Sequence, residues 1–434
     1  MKKIYIVGLS ALSLAACKPN IDPAKPSKGD ADFTTYVSVG NSLTAGYADG
    51  TLYRSGQLSS YPSMLAEQFK MVGGGDFKQP LLPGDAGYPG LKRILGYSTG
   101  CDGVTALGPV VYSGAMDTAG SATNVAAQGP YNNVGVPGIR CIDYTTAGYA
   151  VFNPYAARFF TSPFEKAVTQ ATKINATFFS MWLGANDVLG YATSGGNGAV
   201  SGTGQSDISP LATFTAVYNA VVDSMTARGA KGVLINIPDV TSIPYFTTIP
   251  AKGLVLRQGQ ADSLSAAYAP LGISFTAGAN YFIIQDAAAP GGMRKIRDGE
   301  YIILTTPQDS LKCAGWGSRK PIPKNYVLSA DEVTNVKDAT TAFNNVIAAA
   351  GTAHNLPVVD MNAYLKTIST GTNFNGVTFN ATFVSGGAFS LDGVHLTPRG
   401  YALAANYILL SINNKYHSTI PMVDVNKYAG VRFP

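Results

Sequence analysis

Five apolar runs recur along the chain, each followed closely by a glycine, proline, asparagine or aspartate. Tyr36-Val37-Ser38-Val39 is rich in β-branched residues and predicts a first strand that ends by Ser42. Val134-Gly135-Val136-Pro137-Gly138 closes a second. Thr177 to Leu183 is almost continuously apolar, the pattern of a parallel strand covered on both faces. Gly232 to Ile237 and Leu356 to Asp360 read as two more. Helical spacing lies between the runs. Residues 61–70 form one helix. Residues 210–228 form another, with Ser209 as its cap, Pro210 in its first turn and Gly229 at its end. Leu211, Phe214, Val217, Val221 and Met225 mark its apolar face. Before the last strand, Ser329 and Glu332 have capping-box spacing, and Val333, Val336, Phe343 and Ile347 form the stripe. Strands alternating with helices argue for an α/β fold with a parallel sheet covered on both faces.

Two stretches break the alternation. Residues 73–130 are rich in Gly, Ser, Thr and Pro without a clear period, a length unusual for a plain connection. Within a second long insertion, at about 250–325, Ile273–Thr276, Tyr281–Ile284 and Tyr301–Leu304 read as hairpin strands.

The N-terminal pattern is of another kind. Lys2 and Lys3 precede an apolar stretch from Ile4 to Leu14, too short to span a bilayer comfortably. Leu14-Ala15-Ala16-Cys17 has the form of a lipoprotein cleavage box, the competing reading being an ordinary secretory signal. Residues 1–16 are thus expected to be a leader, Cys17 the lipidated first residue, residues 17–32 a polar tether, and 33–434 the globular part. The expected location is the bacterial cell envelope, at the outer membrane, held by that lipid.

Composition adds exclusions. Hydrophobic residues make up 46% of the chain, ample for a core, and charged residues only 13%. The net charge is +5, without a basic cluster interleaved with aromatics, so no nucleic-acid partner is expected. No Cys/His spacing of the metal-binding kind occurs, and neither metal nor organic cofactor is expected. With Cys17 taken by lipid, Cys101, Cys141 and Cys313 remain. The expected bridge is Cys101–Cys141, the alternative being three free thiols.

Candidate chemistry comes from three motifs in order: Gly40-Asn41-Ser42-Leu43, Gly184-Ala185-Asn186-Asp187 and Asp392-Gly393-Val394-His395. Ser42 follows the first strand, the edge where open α/β sheets bind ligands. Of His354, His395 and His417, only His395 has an acid three residues before it, so Asp392 can fix its tautomer and leave the other ring nitrogen for Ser42. The Asn186 amide and the Gly138 N–H, both at strand ends, are candidate oxyanion donors. Each motif alone is also an ordinary turn. Asp187 reads as a helix cap. Tyr47, Tyr53, Tyr61 and Tyr191 lie near the motifs as packing or binding aromatics.

In combination, Ser42, Gly138, Asn186 and His395 resemble the four name-giving residues of the SGNH hydrolases, the GDSL esterase/lipase family. The resemblance runs from about residue 36 to 413. Gly-Asn-Ser-Leu-Thr-Ala-Gly-Tyr and Phe-Ser-Leu-Asp-Gly-Val-His are similar in particular to the large lipoprotein members of Bacteroidetes-type bacteria. It implies a three-layer α/β/α flavodoxin-like sheet, here with β-rich insertions, and a serine esterase. It implies Ser42 as nucleophile, Asp392 and His395 as the acid–base pair, and Ser42, Gly138 and Asn186 as oxyanion donors. Asn41 stands where the family usually has Asp. The expected partner is an ester, either an acyl lipid or an acetylated glycan. A non-catalytic glycan-binding lipoprotein on the same scaffold is the rival from another class.

Overall fold

The computed structural model describes residues 25–117 and 119–434. The expected leader, Cys17 and the first part of the tether lie outside the described residues. At the centre is a five-stranded parallel sheet: β1 (Tyr36–Gly40), β2 (Asn133–Gly135), β3 (Phe178–Trp182), β4 (Lys231–Ile235) and β5 (Val358–Val359). Its spatial order is β2-β1-β3-β4-β5, the flavodoxin-like order, which places the topological switch point between β1 and β3. Every residue of β1 and β3 is buried, as their largely apolar runs require.

The register decides what the sheet can present. Gly40 pairs with Gly135 on one side and with Trp182 on the other, and Trp182 pairs with Ile235. Four strands therefore end at one level, and the chain leaves them along a common rim.

Helices cover both faces. α1 (Ser42–Ala45) is a single turn directly after β1. α2 (Tyr61–Lys70) packs against α6 (Pro398–Tyr416), and α3 (Asn186–Thr193) and α4 (Leu211–Thr226) pack against α5 (Ala330–Ala353). Phe214 of α4 stacks on Phe343 of α5 with ring centroids 4.0 Å apart. The capping box of α5 forms, with the Glu332 carboxylate accepting from the Ser329 N–H at 2.8 Å. At α4 the expected Ser209 cap is absent: Pro210 holds the cap position, and the buried Ser209 donates its N–H to the Asp187 carbonyl. Among the described residues no helix is long and apolar enough to cross a membrane.

Both insertions are built. Residues 93–99 and 105–111 form an antiparallel hairpin whose strands are largely exposed on both faces, which is why no apolar period marked it. In the second insertion the strand pairs are Leu254–Leu256 with Gly278–Asn280, Ile283–Gln285 with Met293–Lys295, and Tyr301–Ile302 with Val327–Leu328. The expected strand at Ile273–Thr276 is irregular instead, and an unexpected helix spans Gln258–Tyr268. That helix buries only Ala261, Leu264 and Tyr268, too sparse a stripe to stand out in the sequence.

The expected Cys101–Cys141 bridge is wrong. Cys101, at the hairpin tip, is bonded to Cys313 of the second insertion, and Cys141 is a free thiol. Cys141 follows β2 into the core and is fully buried, whereas Cys101 is held out in solvent. Burial, aided by the nearby Asp187 and Asp143 carboxyls, pushes the Cys141 thiol well up, so it behaves as an inert apolar group.

Candidate active site

The turn from β1 into α1 sets the position of Ser42. A side chain at Gly40 would run into the Thr44 hydroxyl and the Trp182 carbonyl, so only glycine lets the chain turn here. Asn41 caps α1, its side-chain oxygen accepting from the Leu43 N–H at 3.0 Å. Asn41 is 1% exposed, so the neutral amide keeps the turn's hydrogen bond without burying a charge.

Ser42 then meets residues from the far end of the chain. Its Oγ lies 2.8 Å from His395 Nε2, and His395 Nδ1 lies 2.8 Å from Asp392 Oδ2. The ring nitrogens are thus used as a relay needs them, with Nδ1–H donating to the carboxylate and Nε2 facing the hydroxyl. His395 sits just before α6, where Thr397 caps the helix by accepting from the Gly400 N–H. His354 and His417 are elsewhere, beside Asp223 and Asp30 respectively.

The Asp392 carboxylate is heavily solvated by the protein. Besides His395 Nδ1 it accepts from the N–H groups of Val394, His395 and Gly50, at 2.9, 2.8 and 3.1 Å, and from the Ser390 hydroxyl at 3.1 Å. Burial alone would raise this carboxyl. The charge of His395 and the hydrogen bonds from His395 and Val394 overcome it and hold the group well below the usual carboxylate range.

A second carboxylate, Asp49, carries no signal in the sequence. It accepts from the Leu391 N–H at 3.0 Å and the Tyr53 hydroxyl at 2.7 Å, and its own N–H donates to Ser390 Oγ. It ties the loop after α1 to the loop carrying Asp392. Burial raises its carboxyl above the ordinary value, against the pull of the Tyr53 and Leu391 bonds. Nothing local around Asp49 announces the tie, because Ser390 and Leu391 lie more than three hundred residues away.

The oxyanion candidates come from the next two rim loops. Asn186 opens α3 and donates one amide N–H to the Ile139 carbonyl at 2.9 Å, leaving the other available. Gly138 is exposed on the loop after β2 with φ +83°, a conformation that favours glycine. Among the described residues the backbone N–H groups of Ser42 and Gly138 have no hydrogen-bond acceptor. Asp187, read as a cap, does more: its buried carboxyl accepts from the N–H groups of Cys141 at 2.6 Å and Ile142 at 3.4 Å. It thereby pins the Gly138 loop to α3.

Of the four tyrosines, Tyr47 lies against His395, with ring centroids 4.5 Å apart. Tyr53 serves Asp49. Tyr61 is fully buried with its hydroxyl 3.0 Å from that of Thr44, and Tyr191 meets Asn335. Two cavities adjoin the site. A groove of about 860 Å³ runs from His395 and Asp392 out between the two insertions. A pocket of about 40 Å³ lies under Ser42 and Asn186. Among the described residues no three His, Cys, Asp or Glu side chains gather as a metal site would need.

A known family agrees with this geometry. The profile of the GDSL-like lipase/acylhydrolase family matches residues 36–408, most of the chain. The chain belongs to that family. It is a carboxylic ester hydrolase with the three-layer α/β/α SGNH fold. Two similar solved structures are a lipase/acylhydrolase from Enterococcus faecalis and an extracellular lipase from Streptomyces rimosus, each 13% identical. The first covers 90% of this chain and 99% of its own, at a TM-score of 0.34. The second covers 88% and 99%, at 0.33. No curated protein matches the chain in sequence.

Proposed function

We propose that this family member cleaves carboxylic esters through a covalent acyl-enzyme on Ser42. The observation that carries this is the unbroken Ser42–His395–Asp392 relay, with 2.8 Å at each step. Ser42 Oγ bonds to the ester carbonyl carbon and gives its proton to His395 Nε2. Asp392 steadies the resulting imidazolium. The carbonyl oxygen takes the negative charge and is held by the Ser42 and Gly138 N–H groups and the Asn186 amide. As the carbon–oxygen bond to the alcohol breaks, His395 returns the proton to the departing oxygen. Water then attacks the acyl carbon and loses a proton to His395, which passes it to Ser42 Oγ as the acyl bond breaks.

The test is hydrolysis of p-nitrophenyl acetate, butyrate and palmitate by the protein and by Ser42→Ala and His395→Ala. Activity abolished in both variants is expected; full activity in Ser42→Ala would sink the proposal. A non-catalytic glycan binder predicts no turnover of any ester. The leader supports a location as well: Leu14-Ala15-Ala16-Cys17 favours a lipid on Cys17 and an envelope-bound enzyme, at the outer membrane. Radiolabelled palmitate incorporated by the parent and lost in Cys17→Ser is the expected result.

A further inference from the structure

The two cavities that meet at His395 differ in ways that bear on the two halves of an ester. The small one is lined by Ser42 and Asn186 and by apolar side chains, among them Val240, Ile243, Leu365 and Phe389, each at most 5% exposed. Its 40 Å³ holds about three water-sized groups, and its walls offer almost nothing to hydrogen-bond. The large one shares His395 with the small one, adds Asp392, and is lined further out by Leu254, Phe282, Leu304 and Leu311. It opens to solvent at Val255, which is 73% exposed. At 860 Å³ it is as large as the sites that bury a drug-sized molecule.

Deacylation decides which half goes where. The attacking water must arrive where the alcohol left, within reach of His395, while the acyl group still occupies its own subsite. The groove is the wider and more open of the two, so water reaches His395 most readily along it. The small, narrow apolar pocket beside Ser42 and Asn186 suits the tail of the acyl group, which stays put.

The groove's walls come from the two insertions. The root of the 93–111 hairpin supplies Arg93 and Pro109, and residues 308–312 supply Gln308, Leu311 and Lys312. Leu95 is the one buried residue of the hairpin strands, so little packing holds the hairpin. What fixes its tip is the Cys101–Cys313 bond, with Lys312 3.8 Å from Asp102 beside it. The disulfide therefore spans the two walls of the groove.

Resting on the esterase reading above, we propose that the substrate pairs a short acyl group with a bulky, largely apolar alcohol. The small pocket takes an acyl tail of about one to three carbons. The strapped groove takes the alcohol, so neither a long-chain acyl lipid nor an extended polar glycan fits both subsites.

The experiment varies the two halves separately on the purified protein. With p-nitrophenyl esters, kcat/KM should fall at least about tenfold between butyrate and palmitate. With acetyl held constant, 2-naphthyl acetate should exceed phenyl acetate about fivefold in kcat/KM, from the extra apolar area buried. Val255→Trp, at the exposed rim, should erase that preference. Leu365→Ala, which deepens the small pocket, should move the acyl optimum toward octanoate. Ser42-dependent activity that rises toward palmitate, and that Val255→Trp lowers on palmitate, would put the acyl chain in the groove and overturn the proposal alone. Activity untouched by Ser42→Ala, or none on any ester, would overturn the esterase reading and this proposal with it.

Discussion

Asp187 has no place in the proton relay, yet its substitution makes the sharpest physical prediction. Its carboxyl is fully buried, and burial is the largest influence on it. The N–H groups of Cys141 and Ile142 and the charge of Arg140 pull the other way, and the group settles at about 7 against an ordinary 3.8. That difference corresponds to about 4 kcal/mol between its protonation states. The folded pKa is raised, so no stability is lost below the unfolded value near 4. Between pH 4 and 7 the unfolded chain gives up this proton while the folded one keeps it, and stability declines. Above 7 the full cost of the buried charge is present. Asp187→Asn keeps an acceptor for the Cys141 N–H and removes the titration. The variant should therefore gain on the parent as pH rises, with the difference between them changing by about 4 kcal/mol from pH 4 to pH 8. Urea unfolding of both proteins at several pH values measures it, and every other titrating group cancels in the difference. A pH-independent difference, or a variant that loses ground as pH rises, would refute the reasoning.

Three further substitutions have expected outcomes. Asn186→Ala removes a proposed oxyanion donor and leaves the Ile139 carbonyl without its 2.9 Å partner, so kcat should drop about a hundred- to a thousandfold with KM little changed, read by steady-state kinetics. Asp392→Asn sets an amide N–H against a ring of donors, so kcat should fall about ten-thousandfold. Because the Asp392 carboxyl is held low, its stabilising contribution is present above the unfolded pKa near 4 and lost in acid. The parent's stability advantage over Asp392→Asn should accordingly shrink as pH falls below about 4 in the same unfolding assay. Cys101→Ser opens a link across 212 residues and should cost about 2–4 kcal/mol, with limited proteolysis appearing first in the 93–111 hairpin.

The central strands were legible in sequence because a parallel strand buried on both faces must be largely apolar, and Tyr36–Val39 and Thr177–Leu183 are, with Ser38 and Ser180 the small polar residues inside them. The Asp392–His395 contact was legible because the two are neighbours in the chain and histidines are scarce. The insertions were harder. An exposed hairpin has no buried face to impose a period, and a helix that buries three side chains barely has a stripe. The cysteine pairing was not legible, since spacing along the chain carries no information on which thiol is sealed in the core and which is held at a loop tip.

By itself, then, the sequence determined the α/β alternation, the residue types at each strand end and their order, all of which are written in local periodicity and side-chain chemistry. Tertiary structure alone decided the strand order that puts the switch point at Ser42. It also decided the Gly50 donor to Asp392, the Asp49 tie, the Cys101–Cys313 strap and the unequal cavities that meet at His395. Those depend on groups such as Gly50 and Asp392, 342 residues apart, reaching hydrogen-bond distance, and only the packing of the whole chain sets that distance.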